Sequence, residues 1–318
     1  MNNPSHKAEI SRQHIVRDLR AMGITQGDHL ALGISFKKIG HVVDGPETLI
    51  DALLETVGPE GTIMMNTFTE FFYPVEMELG WVDYTFDPKT TKVNTGIIPE
   101  TLRKRKNAIR SQHPTHSVAA IGKMAEYLTE SHDENSSAFL PFSRLSEING
   151  KYLAIGIGER LVGFRHQAQY MAGLLDVVSW RRCVKFKARD GQIKTFTLKD
   201  RGGCPKRLSE LVPHIRKSGL VQDGKVGMAA SLLVPAKETL DRMSELLKKS
   251  PESYLCGSVS CLWCRELERK LNLYDKIENP RYFQKNIVIR KLVGTMNWLR
   301  ERDNRVVTRI KLFMKKKS

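Results

Sequence analysis

The chain has 318 residues, 41% of them apolar and 27% charged, with a formal net charge of +16. These fractions are those of a soluble globular chain, long enough to bury a large core as one big domain or two smaller ones. The first thirty residues lack signal-peptide form, and no uncharged run approaches the roughly 18 to 20 residues of a membrane span, so a cytoplasmic location is expected.

The charge suggests a nucleic-acid binder until it is mapped. The stretch 281–318 holds twelve Lys or Arg against Glu301 and Asp303 and so carries +10 of the total. The body need not bind a polyanion, and no nucleic-acid-binding module is recognisable even in the tail. There, Ile287, Val288, Leu292, Met296 and Leu299 recur at helical spacing, and Val306, Ile310, Phe313 and Met314 do so again. Apolar stripes with basic faces suit a helix lying peripherally on an anionic membrane, or one docked on the body or a partner.

Taken in order, Ser11 caps a helix whose Ile15, Leu19 and Met22 form one face, stopped by Gly23. A short strand over 29–35 follows. Pro46 opens a second helix, with Ile50, Leu53, Leu54 and Val57 on its apolar side, closed by Gly58-Pro59 before a strand at 62–65. Residues 66 to 96 have no helical period but hold Phe68, Phe71, Phe72, Tyr73, Trp81, Tyr84 and Phe86. So long an irregular stretch is either a lid or binding wall, or a surface loop pinned by its aromatics.

Pro99 starts a helix that ends in the basic run 103–106. Helices are expected near 123–131 and 143–149, then an almost wholly apolar strand over 151–158 that suits a central position. A helix beginning at His166 runs to Leu175. Beyond Asp176 the spacing predicts a hairpin, 177–188 and 192–198, around Asp190-Gly191, then helices near 206–217 and 236–249. The expected architecture is a central mixed α/β sheet flanked by helices over residues 1–270, with a β-hairpin appendage and a basic helical tail, 271–318.

Between the basic helix and the apolar run Val118 to Gly122 lies Arg110-Ser111-Gln112-His113-Pro114-Thr115-His116-Ser117. Pro114 keeps this run out of a helix, so His113 and His116 sit on a loop at a strand end, where sites are commonly built. They are candidate acid–base groups or, alternatively, a turn cap and a packed surface ring.

These stretches carry a resemblance. Gly58-Pro59-Glu60-Gly61-Thr62, Thr67-Phe68-Thr69, Phe86-Asp87-Pro88, Gly96-Ile97-Ile98-Pro99-Glu100, the run Arg110 to Gly122 and Ser143-Arg144-Leu145 occur in register. From about residue 22 to 173, and more weakly beyond 200, the sequence resembles the aminoglycoside 3-N-acetyltransferase (antibiotic N-acetyltransferase) family. The resemblance implies transfer of an acetyl group from acetyl-CoA, or another acyl-CoA, to the amine of an amino sugar or aminoglycoside-like acceptor, and a biosynthetic role is the leading expectation. It places the general base at His166 of an HxAE-like element ending in Gln169. The CoA wall falls on Ser35, Phe36, Val42 and Gly45, joined by Thr67, Thr69, Arg110 and Ser117. Three positions depart from the family pattern: Gly33 for histidine, Asn66 for proline and Gln169 for glutamate. The rival reading is a non-catalytic CoA-binding or scaffolding relative whose catalytic element has decayed.

Cys256, Cys261 and Cys264 form C-x4-C-x2-C, with Cys204 far upstream. Three clustered cysteines in a reducing compartment suggest metal ligands, with Cys204 or a histidine completing a structural zinc site; idle buried thiols are the other reading.

Overall fold

The computed structural model describes residues 9–175, 182–198, 204, 206–258 and 261–271. In chain order its elements begin with β1 (Glu9–Ile10), α1 (Arg12–Ala21), β2 (His29–Ile34), α2 (Phe36–Ile39), β3 (His41–Val42), α3 (Pro46–Val57) and β4 (Thr62–Asn66). Next come α4 (Pro74–Glu78), β5 (Thr85–Phe86), α5 (Ile97–Lys104), β6 (Ile109–Arg110), β7 (Val118–Gly122), α6 (Ala125–Thr129), α7 (Leu140–Glu147), β8 (Lys151–Ile155) and α8 (Phe164–Met171). The last are β9 (Arg182–Lys187), β10 (Ile193–Leu198), α9 (Leu211–Lys217), β11 (Gln222–Val226), β12 (Ala229–Pro235), α10 (Ala236–Lys249) and α11 (Leu262–Lys270).

The main sheet runs β11-β12-β8-β2-β4-β7-β6. β8, β2 and β4 are parallel and the outer pairs antiparallel, so the sheet is mixed. Side chains alternate across a strand, and here that alternation splits the core in two. Leu30, Leu32, Ile63, Met65, Leu153 and Ile155 pack with α1, α3 and α5 on one face. Ala31, Met64, Tyr152, Ala154, Leu232 and Val234 pack with α6 to α11 on the other. Three layers result, with β8 and β4 buried on both sides.

Local chemistry explains the helix ends. Ser11 Oγ accepts the His14 amide while the Ser11 amide donates to His14 Nδ1, a reciprocal cap that starts α1. Pro46 stands at the first position of α3, whose buried face includes Leu49, Ile50, Leu53 and Val57. The apolar strand expected to reach residue 158 stops at Ile155, where Gly156 (φ 67°) and Gly158 (φ 62°) turn the chain through left-handed backbone, the Gly156 amide making a last bond to Ala230 O at 2.9 Å. α7 begins three residues earlier than expected, and α8 begins at Phe164 and ends four residues before Leu175.

A second sheet, β10-β9-β5, is the appendage. Asp190 Oδ1 accepts the Gln192 amide at its turn, and the hairpin registers Ile193 opposite Lys187. The irregular stretch 66–96 is part of this unit. Phe72 exchanges both backbone bonds with Cys183, β5 lies parallel to β9, and Phe72 and Phe86 share a small core with Val184, Phe186, Phe196 and Leu198. Its aromatics therefore pin it, as one of the two readings held, but onto the hairpin and not onto bare surface.

The hairpin β11–β12 was not anticipated. β11 is exposed except at Val226, and its Gln-Asp-Gly-Lys run has no apolar alternation to read. Among the described residues no helix is long and apolar enough to cross a membrane. The tail beyond residue 271, with its expected helical stripes and surface contact, lies outside the described residues, as do 176–181 and 199–203.

Leu153 is fully buried in β8, whereas Ile193 stands exposed on β10. Leu153→Ala should cost about 2–5 kcal/mol in urea unfolding, while Ile193→Ala should stay within about 0.5 kcal/mol of the parent.

Candidate active site

The carboxyl ends of β2, β4 and β8 share one edge of the sheet, the usual place for a site in α/β architecture. β6 ends at Arg110 on the same edge, and the histidine loop returns from it into β7. Ser111 N–H donates to Val118 O at 2.9 Å, closing the loop at its base. His113 Nδ1 accepts the amides of His116 (3.1 Å) and Thr115 (3.4 Å), which leaves the proton of a neutral ring on Nε2. The loop geometry inferred from Pro114 is thus fixed by the imidazole beside it.

A seam joins this loop to the exit of β4. Thr67 and Thr69 amides donate to Ser117 O (2.8 Å) and Thr115 O (3.1 Å), and Thr69 Oγ1 donates to Pro114 O at 2.8 Å. Arg110 crosses the seam. Its Nε donates to Thr67 Oγ1 and Ser117 Oγ, its NH2 to Thr67 O at 2.9 Å and its NH1 to Thr91 O at 2.6 Å, with Phe86 under the guanidinium. Burial lowers its pKa to about 10. Thr67, Thr69 and Ser117 are buried, and with Arg110 their polar side-chain atoms bond within the seam. The four residues expected at the cofactor are thus brought together in one hydrogen-bonded seam.

Two further rings complete the cluster. His132, which no sequence signal singled out, stacks on His113 at 4.8 Å and places Nδ1 2.9 Å from Ser111 Oγ. His116 meets Phe68 at 4.8 Å and the edge of Phe139 at 5.4 Å. Phe139 also lies 5.4 Å from His166, so it stands between the loop histidines and the head of α8. His166 Nδ1 lies 2.7 Å from Gln169 Oε1, an acceptor, which puts the ring proton on Nδ1 and the lone pair on Nε2.

Three of these rings, His113, His132 and His166, are disposed by burial to be neutral. Burial lowers the pKa of His132 to about 3, that of His166 to about 4, and that of His113 well below its usual value. Neighbouring cationic groups act in the same direction, His116 and then Arg144 on His132, and Arg165 on His166. No described carboxylate bonds to His113, His132 or His166. Arg165 is 6% exposed, its Nε has no partner, and among the described residues it makes no ion pair. Sequence reading passed over it as the end of a loop.

The remaining expected cofactor residues lie at the end of β2. Ser35 is half-buried, donates its amide to Ile155 O at 2.8 Å and precedes the short α2 with its hydroxyl unengaged in capping. Phe36 is half-buried against the core, and Gly45 (φ 74°) precedes α3 with open space where a Cβ would stand. Val42 is different. Its side chain is buried in the core beside Ile10, so any cofactor contact there falls to its backbone.

The departures at Gly33 and Asn66 have local causes. A Cβ at Gly33 would lie 2.6 Å from the Tyr152 hydroxyl and 2.5 Å from Ile157 Cδ1, so those side chains occupy the room a larger residue would need. Asn66 Nδ2 donates to Val162 O at 3.2 Å, tying β4 to the loop that leads into α8.

A family profile described as aminoglycoside 3-N-acetyltransferase matches residues 33–248, which is most of this architecture. The chain belongs to that family. The aminoglycoside N(3)-acetyltransferase VII of Streptomyces paromomycinus is 29% identical over 259 residues, covering 73% of this chain and 89% of that one. The aminoglycoside N(3)-acetyltransferase IV of a Salmonella species is 27% identical over 255 residues, 78% and 91% of the two chains. Among solved structures, AAC-IIIb in a binary complex with CoASH superposes with a TM-score of 0.66 at 27% identity, over 76% of this chain and 97% of that one. Sisomicin-bound AAC-VIa gives 0.67 at 27% identity, over 76% and 99%. Membership in the aminoglycoside 3-N-acetyltransferase family carries the enzyme class with it, an acetyl-CoA-dependent N-acetyltransferase, and agrees with the mixed sheet flanked by helices.

The buried imidazoles set a pH response. Because folding lowers their pKa values below 6.5, the unfolded chain binds more protons in mild acid. Stability is whole above about pH 6.5 and falls as the pH drops through 6.5 towards 4 and then 3. Thermal midpoints measured from pH 7.5 to 4.5 should decline, and His132→Asn should flatten that decline.

Proposed function

We propose that the chain acetylates the amine of an amino-sugar acceptor, with His166 Nε2 as general base. The observation that carries this reading is the 2.7 Å pairing of His166 Nδ1 with Gln169 Oε1, which leaves Nε2 available as the basic atom of a neutral ring at the head of α8. The amine attacks the thioester carbonyl carbon and its excess proton passes to Nε2. As the tetrahedral intermediate collapses, the C–S bond breaks and the same proton passes from Nε2 to the departing CoA sulfur, leaving the imidazole neutral.

Acetyl-CoA is the co-substrate of this reaction, and CoA-bound AAC-IIIb supports such a ligand on this fold. The turn at Ser35 and the open N-terminus of α3 at Gly45 offer amides for its phosphates. His113 is wholly buried and acts by holding the loop. His116, on the Phe139 side, is the second candidate for proton transfer.

Gln169 fixes the His166 tautomer without charge. In a serine-protease triad, losing the carboxylate partner of a histidine costs up to about 10⁴ in rate, so Gln169 sets a slow enzyme. His166→Ala should abolish transfer measured by thiol release from acetyl-CoA. Gln169→Glu should retain or raise the rate and move the acid limb of kcat upward. If His166→Ala kept full activity while His116→Ala lost it, the base would belong to the histidine loop. Binding of CoA without turnover on any amine would favour the non-catalytic rival.

The charge around the base favours one kind of acceptor. Arg165 acts on His166, makes no described ion pair, and no described carboxylate bonds to that ring to receive the ammonium groups of a polycation. An amino sugar that also bears a phosphate or carboxylate, as a nucleotide-linked biosynthetic intermediate does, suits this site better than an aminoglycoside. From the roughly 1.5–3 kcal/mol of a charged hydrogen bond, kcat/KM for a phosphate-bearing amino sugar should exceed that of its dephosphorylated form about 10- to 100-fold. Arg165→Met should erase that ratio without changing CoA binding in calorimetry. A preference for gentamicin-type polycations would reverse this assignment of acceptor while leaving the acetyl transfer itself standing.

A further inference from the structure

The chain brings together four sulfurs that the acetyl transfer does not use. Cys204 follows the hairpin, Cys256 follows the 3-10 turn at Pro251–Tyr254, Cys261 caps α11 and Cys264 lies in its first turn. Their Sγ atoms all lie within 4.8 Å of one another. We propose that these four cysteines bind a single zinc ion in a closed tetrahedral site.

Geometry selects this reading over the other chemistry open to cysteines. A Zn–S bond of about 2.3 Å gives a tetrahedron with edges near 3.8 Å, so the observed spread needs only small side-chain adjustments to receive the ion. The Cys256 and Cys264 sulfurs stand 3.5 Å apart, far beyond the roughly 2.05 Å of a disulfide, and four mutually close sulfurs define no unique pairing. A two-iron cluster would push its two pairs of thiolates apart by the width of the cluster. The C-x4-C-x2-C spacing is therefore completed by the upstream Cys204 around one ion.

The surroundings are those of thiolates. The Cys256 amide donates to Cys264 Sγ at 3.3 Å, the Cys264 amide points to Cys261, and the Lys206 amide to Cys204. Backbone N–H groups aimed at sulfur stabilise the deprotonated ligands that zinc requires, and the N-terminus of α11 adds its positive end at Cys261. Arg207 lies close enough to act on Cys256. Four protein ligands leave no open position for water or substrate, so the ion is structural.

Its place in the fold states its purpose. Cys204 and Cys264 are buried in the core layer that also holds Ala168 of α8 and Leu211 and Leu240 of α9 and α10. The ion fastens residue 204 and α11 to this layer, closing a loop from 204 to 256 that no regular pairing spans.

Elemental analysis of the purified full chain should find about one zinc per molecule, falling to about none in Cys204→Ser and in Cys256→Ser. Cys183→Ala, whose sulfur belongs to the hairpin unit, should leave the zinc content unchanged. Cobalt-loaded parent protein should show the intense visible bands of tetrahedral thiolate coordination, which does not depend on any variant folding. A parent protein without zinc, one with iron in its place, or one whose four thiols are joined in disulfides by mass spectrometry would overturn the proposal.

Discussion

The site depends on one guanidinium. Arg110 donates to Thr67, Thr91 and Ser117 at once, so it binds the exit of β4, the segment before α5 and the return of the histidine loop into β7. Each of those backbones lies beyond the end of a regular strand, where few ladder bonds remain. A planar cation with five donors can satisfy several carbonyls in one plane, where an ammonium would reach them only in turn. Through Phe86 beneath the same cation, the hairpin unit is anchored to the main sheet, and Phe196 of that unit reaches the His113 ring at 5.2 Å.

What the sequence disclosed follows from where its information is local. The cap at Ser11, the apolar face of α3, the Asp190-Gly191 turn and the buried strand at Lys151 each rest on a few neighbouring residues, and each is observed. β11 gave no sign because its pairing with β12 satisfies an exposed polar backbone that carries no apolar period. The site divides in the same way. His166 and Gln169 are one helical turn apart and readable together, whereas His132 and Arg165 acquire meaning only from the rings and burial that the fold supplies. The family resemblance singled out Arg110, Thr67, Thr69 and Ser117 for the cofactor wall, but the bonds of their seam link positions far apart in the chain that no local pattern discloses.

The departures from the family pattern are not isolated losses. Gly33 leaves room for the Tyr152 hydroxyl, which donates to Val162 O, and Asn66 donates to that same carbonyl. Both changes therefore bear on the loop that delivers α8, and Gln169 then removes the negative charge next to the ring that α8 presents. Gly33 and Asn66 thus act on the backbone that positions α8, and the proposed preference for an anionic acceptor rests on Gln169 and Arg165.

Phe139 has a consequence beyond packing. It lies edge-on to His116 and tilted against His166, 5.4 Å from each. An aromatic ring conducts no protons, so no relay passes through Phe139 from His116 to His166. With His166 as the proposed base, transfer moves a single proton there, and in mixtures of light and heavy water the rate would vary linearly with deuterium content.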